Sequence, residues 1–320
     1  MNPATHDSAN LSGHTPVLLA ESMDALNVRD GGVYLDGTFG GGGHSRSILS
    51  ACGDSARLVI VDADLDAIHR ARDLQATLLA PDRITIIHAN LRDLASELDR
   101  AGVESLDGVL LDLGLSSFQL DTPERGFSFR FDAPLDMRFD QASGESASDL
   151  LNALSEQEIA DLLYTYGEER KSRRIATAIV NARGAEEVWT TMALAALVER
   201  TIGRKPGAGI HPATRTFQAL RIVVNHELDA LAVALDAAVD RLTPGGRLVV
   251  IAFHSLEDRI VKRFIAEQER SCVCPPEQPL CMCNVTPRMK RIGKPIRPSA
   301  LETDVNARSR SSIMRVAERL

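Results

Sequence analysis

The sequence predicts an α/β fold, a Rossmann-like parallel sheet covered on both faces and interrupted by a helical insertion. Three observations predict it. Short, almost continuous apolar runs alternate with helical spacing in the first third of the chain. A glycine-rich turn joins the first of those runs to a helix. A long stretch of purely helical texture then separates the fourth run from the fifth.

The elements follow in order. Tyr34–Gly37 reads as a strand end, and Arg57–Asp62 (RLVIVD) is an apolar strand closed by an acid. Asp64–Leu79 has helical spacing and Pro81 breaks it. Arg83–His88 is β-branched, Leu91–Ala101 is helical, and Asp107–Leu113 is a buried-type strand. Apolar strands alternating with helices mean parallel pairing with both faces covered. The fifth strand, Arg247–Phe253, comes only after the Pro244-Gly245-Gly246 turn, and Leu256–Glu269 is the helix behind it. Between them Leu150–Tyr166, Glu168–Arg183, Met192–Ile202 and Thr214–Arg241 read as helices. No single crossover is that long. The spacing therefore divides the chain into a core at 1–132 and 214–320 and a helical insertion at 133–213.

Composition is ordinary for a globular chain, with 44% hydrophobic and 25% charged residues. No apolar run approaches the roughly 18–20 residues that span a bilayer. The first residues have neither a basic start nor an apolar stretch, so a cytoplasmic protein without a membrane partner is expected. Net charge is −8, but residues 285–320 carry nine Lys/Arg against three acids, and residues 200–225 carry five basic residues and no acid. Basic segments on an acidic body suggest a polyanion held at one face, with a solvated tail as the alternative.

Asp36–Ser45 (DGTFGGGGHS) follows the first strand and opens a helix. Glycines there let a ligand lie against bare backbone. The absence of Lys-Ser/Thr after them excludes a nucleoside-triphosphate loop. Asp62, at the end of the second strand, is placed to accept from ribose hydroxyls, with Asp64 a weaker candidate and helix capping the structural alternative. Loop and acid together indicate an adenosine-containing cofactor and leave NAD and S-adenosylmethionine both open.

The fourth strand ends in Asp112-Leu113-Gly114-Leu115-Ser116-Ser117. Enzymes that methylate exocyclic amines place a short polar motif at this edge. The N4 amine of cytosine is conjugated with its ring, so an acceptor must hold its N–H while an in-line methyl sits about 3–3.5 Å away. Asp112 suits that role. The two serines lack the G-x-S-x-G setting of a hydrolase. His254 and Ser255 follow the fifth strand at the same edge, where Ser255 is expected to cap the next helix with Asp258. Arg215 suits an RNA phosphate, as do Arg170, Lys171, Arg173 and Arg174, while Phe217 is expected in the core.

These stretches, with Arg125–Phe129 (RGFSF), Pro134–Arg138 (PLDMR), Tyr166–Glu169 (YGEE), His211–Arg221 (HPATRTFQALR), His254–Lys262 (HSLEDRIVK), Ala307–Ser311 and His14–Leu19, resemble the bacterial 16S ribosomal RNA (cytosine-N4)-methyltransferase family across nearly the whole chain. The resemblance implies a class I S-adenosylmethionine-dependent methyltransferase core. It implies N4-methylation of the P-site cytidine C1402 in the 16S rRNA of the small ribosomal subunit. Cofactor contacts carry over to Gly42, Gly43, His44, Asp62, Leu91, Asp112 and Gln119, and the catalytic candidates are Asp112, Ser116 and His254. Leu91 stands where other members have Phe, and offers packing rather than stacking. Thr38 replaces a glycine of the general methyltransferase loop.

Cys272, Cys274, Cys281 and Cys283 form C-x-C-x6-C-x-C. Four thiols this close can ligate zinc, although zinc motifs usually space cysteines more widely. The reading favours reduced thiols in a loop and assigns no metal. It leaves a homodimer open.

Overall fold

The computed structural model describes residues 16–183, 189–204, 209–275 and 282–320. Its first half runs α1 (Leu19–Leu26), β1 (Val33–Asp36), α2 (Gly43–Ala51), β2 (Arg57–Asp62), α3 (Leu65–Ala76), β3 (Ile84–His88), α4 (Leu94–Arg100), β4 (Leu106–Asp112) and α5 (Ser117–Asp121). Helices α6 (Ala147–Ala153), α7 (Glu156–Gly167), α8 (Ser172–Ala182), α9 (Thr191–Ile202), α10 (Thr214–Asn225) and α11 (Glu227–Arg241) follow. The chain ends with β5 (Leu242–Ala252), α12 (Ser255–Gln268), β6 (Met289–Arg291), α13 (Ala300–Val305) and β7 (Ile313–Arg319).

Among the described residues these strands form one sheet in the order β3-β2-β1-β4-β5-β7-β6. The first five pair in parallel, and β7 runs antiparallel to both β5 and β6. Alternate side chains feed opposite faces. Val59, Val61, Val109 and Leu111 pack with α4, α11 and α12, whereas Leu58, Ile60 and Leu110 pack with α1, α2 and α3. The order turns back on itself at β1 and β4, the switch point where open α/β sheets bind ligands at their carboxyl ends. No described helix is long and apolar enough to cross a membrane.

A separate core joins Phe127, Leu135 and Met137 to α6–α10, around Leu163, Ile175, Trp189, Leu194 and Leu220. Two expectations change here. The stretch expected as one helix over 214–241 breaks at His226, which takes a left-handed φ of 52°. Its first half, with Phe217 and Leu220, belongs to the helical core, and only α11 returns to the sheet. The stretch 150–166 breaks at Leu154, where Ser155 starts α7 with a capping box to Glu158.

The basic segment 285–320 differs more. It supplies β6 and β7, and its arginines are largely engaged. Arg288 pairs with Asp240, Arg291 with Glu269 and Arg308 with Asp121, while Arg315 grips Asp258 at 2.6 and 3.0 Å. It is a structural edge of the sheet rather than a solvated tail.

Candidate active site

Gly37 must be bare because a Cβ there would meet Leu111 Cδ2 at 2.5 Å. Gly42 takes φ +75° to start α2, and a Cβ on it would strike the Phe39 ring at 2.4 Å. The loop is braced from outside. Arg46 donates to the Gly41 carbonyl at 2.7 Å and Arg70 to the Gly40 carbonyl at 3.0 Å, while Arg70 stacks over Phe118 with 4.3 Å to the ring centre. The loop, the strand ends and α5 enclose a cavity of about 570 Å³, a size that suits a cofactor-scale ligand.

Of the residues expected in the site, Gly43, His44, Asp62, Leu91, Asp112, Ser116 and Gln119 line this cavity. Gly42 and His254 do not. Gly42 acts through the backbone turn, and His254 sits behind the cavity wall formed by Phe253 and Glu257.

Asp62 accepts from Gly40 N–H at 3.0 Å and Asp64 N–H at 2.8 Å. Burial raises its carboxyl to about 6 despite those two bonds. Each carboxylate oxygen keeps a second lone pair for a ligand hydroxyl. Asp64 is not a ribose ligand. It caps α3 through Asp66 N–H, takes both oxygens to Arg125 Nη1 at 3.0 Å, and receives Gln119 Nε2 at 2.8 Å. Gln119 also receives the Ser116 N–H at 2.9 Å on its side-chain oxygen, and Ser116 returns the favour as N-cap of α5. Both side chains are therefore engaged in holding α5 against the cavity.

Asp112 is the focus of the site. Its N–H donates to Thr38 Oγ1 at 2.6 Å, which accounts for Thr38 where the general loop has glycine. Its Oδ1 is buried without a hydrogen-bond partner among the described residues. Oδ2 lies 3.5 Å from His44 Nδ1. That contact is not an ion pair, because burial lowers His44 to about 4. His44 Nε2 lies 3.2 Å from the Val17 carbonyl, which can only accept, so the ring proton sits on Nε2. Nδ1 then presents a lone pair to Asp112. Burial first, then the charges of Asp36 and Glu257, push the Asp112 carboxyl well above the usual range. A proton on Asp112 relieves two facing acceptors.

Behind the wall, Arg221 grips Glu227 at 2.7 and 2.8 Å and lies 3.9 Å from Glu257. Glu257 caps the loop through Phe253 N–H at 2.8 Å and His254 N–H at 3.2 Å. The expected capping pair Ser255 and Asp258 is thus shifted by one residue, to His254 and Glu257. Ser255 instead donates to Glu168 at 2.8 Å, tying α12 to the helical region.

Sequence reasoning missed Arg125. Buried, it holds Asp64 with one nitrogen and the Arg138 and Phe139 carbonyls with the other at 3.1 and 2.9 Å. It thereby joins the sheet to the entry of the helical core, and explains why RGFSF and PLDMR lie close in sequence. An Arg beside a positive-φ glycine (Gly126, φ +72°) was the available signal.

Three of the four cysteines in the C-x-C-x6-C-x-C motif come together, with Cys272, Cys274 and Cys283 within 4.8 Å of one another. Cys281 lies outside the described residues, as do His14 and Thr15 of the first motif.

Comparison with known proteins shows what the chain is similar to. Ribosomal RNA small subunit methyltransferase H of Thermomicrobium roseum is 52% identical over 308 residues, 96% of this chain and 94% of that protein. The protein of the same name from Aromatoleum aromaticum is 52% identical over 309 residues, covering 96% of each chain. That from Carboxydothermus hydrogenoformans is 46% identical, covering 96% of this chain and 98% of its own. The profile of the MraW methylase family matches residues 11–320, nearly the whole of the sequence that carries the glycine loop, the acid at β2 and the buried carboxylate at β4, and the chain belongs to the MraW methylase family.

Proposed function

We propose that this protein transfers a methyl group from S-adenosylmethionine to N4 of cytidine C1402 in 16S rRNA, acting on small ribosomal subunits in the cytoplasm. The observation that carries the reading is Asp112 Oδ1, a buried acceptor without a hydrogen-bond partner among the described residues, at the cavity edge where a target amine would arrive. When bound, S-adenosylmethionine supplies an electrophilic methyl on a cationic sulfur.

The chain's own residues do the rest. The bare backbone at Gly40–Gly43 admits a ligand to the start of α2, beside His44. Asp62 accepts from ribose hydroxyls, and Leu91 walls the base end with apolar surface. A positive charge beside Asp112 favours its ionised form over the protonated one. The carboxylate then accepts an N4–H of the cytosine, restores the lone pair for attack, and receives the proton that the methylated amine releases. Ser116, Gln119 and His254 are positioning residues, because each is engaged in capping or bracing the helices that frame the cavity. Cytosine N4 paired in a helix cannot reach a buried acceptor, so the base enters single-stranded or flipped.

A second cleft lies between the helical region and α12, lined by Tyr164, Arg170, Arg215 and Arg259 around Glu168. Tyr164 is exposed, and three guanidiniums against one carboxylate suit RNA backbone with a base stacked on the ring. Mapping methylated nucleotides by mass spectrometry in small-subunit RNA, with and without the protein, tests the function. A methyl appearing on a nucleotide other than C1402, or none, overturns it.

A further inference from the structure

The cysteine cluster stands apart from everything above. The described residues after α12 and before β6 meet at their base, since Arg288 N–H donates to the Gln268 carbonyl at 2.9 Å. Val273 and Met282, the residues inside the two C-x-C pairs, are 59% and 77% exposed, so neither anchors the cysteines by apolar packing. Yet three sulfurs converge within 4.8 Å. A tetrahedral zinc with bonds of about 2.3 Å places its sulfurs about 3.8 Å apart, inside that limit.

Each sulfur also accepts a main-chain N–H. Val273 donates to Cys283 Sγ at 3.3 Å, Cys274 to Cys272 Sγ at 3.4 Å, and Met282 to Cys274 Sγ at 3.5 Å. Three sulfurs this close can share a single cation as ligands. The donors are soft, the geometry is compact, and none of these residues lines the catalytic cavity.

We infer that Cys272, Cys274 and Cys283 hold a structural zinc ion, which staples the loop between α12 and the antiparallel edge of the sheet. The narrow C-x-C spacing, which argued against zinc in the sequence, is compatible with it here because Cys272 and Cys274 meet Cys283 from the far side of the connection. The ion ties these described residues together.

The test uses the full chain, purified under reducing conditions without a metal-affinity step. Elemental mass spectrometry is expected to find about one zinc per chain, falling roughly tenfold in Cys272→Ser/Cys283→Ser. Cobalt added to zinc-stripped wild-type protein is expected to show the intense absorption of tetrahedral thiolate coordination. That arm stands even if the double variant fails to fold. Cobalt that keeps its aqueous spectrum, zinc content unchanged in the variant, or a disulfide among these cysteines in the unreduced protein would each overturn the assignment.

Discussion

Two regions of this molecule are dense in charge, and they use it in opposite ways. At the carboxyl edge of the parallel strands, Asp36, Asp62, Asp64 and Asp112 lie in or against the cavity wall with few cations near them. At the antiparallel edge, Arg288, Arg291 and Arg315 meet acids one for one. By composition the second region looked like the binding surface. By structure it is the satisfied one. Buried polar capacity left unspent is costly, and it is retained at Asp112, where a ligand can use it. Counting charges along a sequence therefore locates ion pairs as readily as sites.

The contrast is broken most severely at Arg125, a cation buried against Asp64. Arg125→Ala strands Asp64 and should cost about 3–5 kcal/mol of stability, read as a lowered calorimetric Tm. A loss below about 1 kcal/mol would show that Gln119 alone satisfies Asp64. At Asp112 the expected damage is to rate. Asp112→Asn should slow single-turnover methylation by ~10²–10³, about 2.7–4 kcal/mol, with little change in cofactor affinity. Rescue of turnover by saturating cofactor would reassign Asp112 to binding.

Asp62 sharpens the comparison through pH. Asp62→Ala should weaken S-adenosylmethionine binding by ~1–3 kcal/mol in calorimetry. In the wild type, affinity should fall as pH drops through about 6, when the carboxylate takes a proton and one of its acceptor sites becomes a donor. Stability moves the other way. The folded value lies above the ordinary 3.8, so this group's stabilising contribution is complete below about 3.8 and is lost as pH rises through about 6. Asp62→Asn should remove the acid step in affinity, and a step that persists would assign it to another group. The smallest effect is expected at the antiparallel edge. Arg288→Ala with Arg291→Ala removes two exposed pairs, so stability should change by about 0–1 kcal/mol per pair and the salt slope of RNA binding should stay that of the wild type. A flatter slope would restore the segment as an RNA contact.

The parallel strands were legible because each is a near-continuous apolar run, and Asp62 and Asp112 because each ends one. The glycine loop announced itself by composition. The antiparallel strand β7 did not: IMRVAER mixes three charged residues with four apolar ones, and that reads as a basic tail. His226 broke the long helix without a glycine or proline to mark it. The destinations of Arg125 and Arg315 were unreadable, since their partners lie 61 and 57 residues away in the chain. Capping was visible at the start of α12 but misplaced by one residue, because Ser and Asp are commoner caps than His and Glu.

The position of β7 has a bearing on how the protein is made. Strand β5 lies between β4 and β7, yet β7 leaves the ribosome only after α12, β6 and α13 have followed β5. Until residue 319 emerges, β5 presents an open row of main-chain donors and acceptors, the kind of edge that recruits other strands. The arginines of the closing segment keep β7 from being a flat apolar ribbon during that interval. The charge that resembled a nucleic-acid tether thus also guards a half-built sheet.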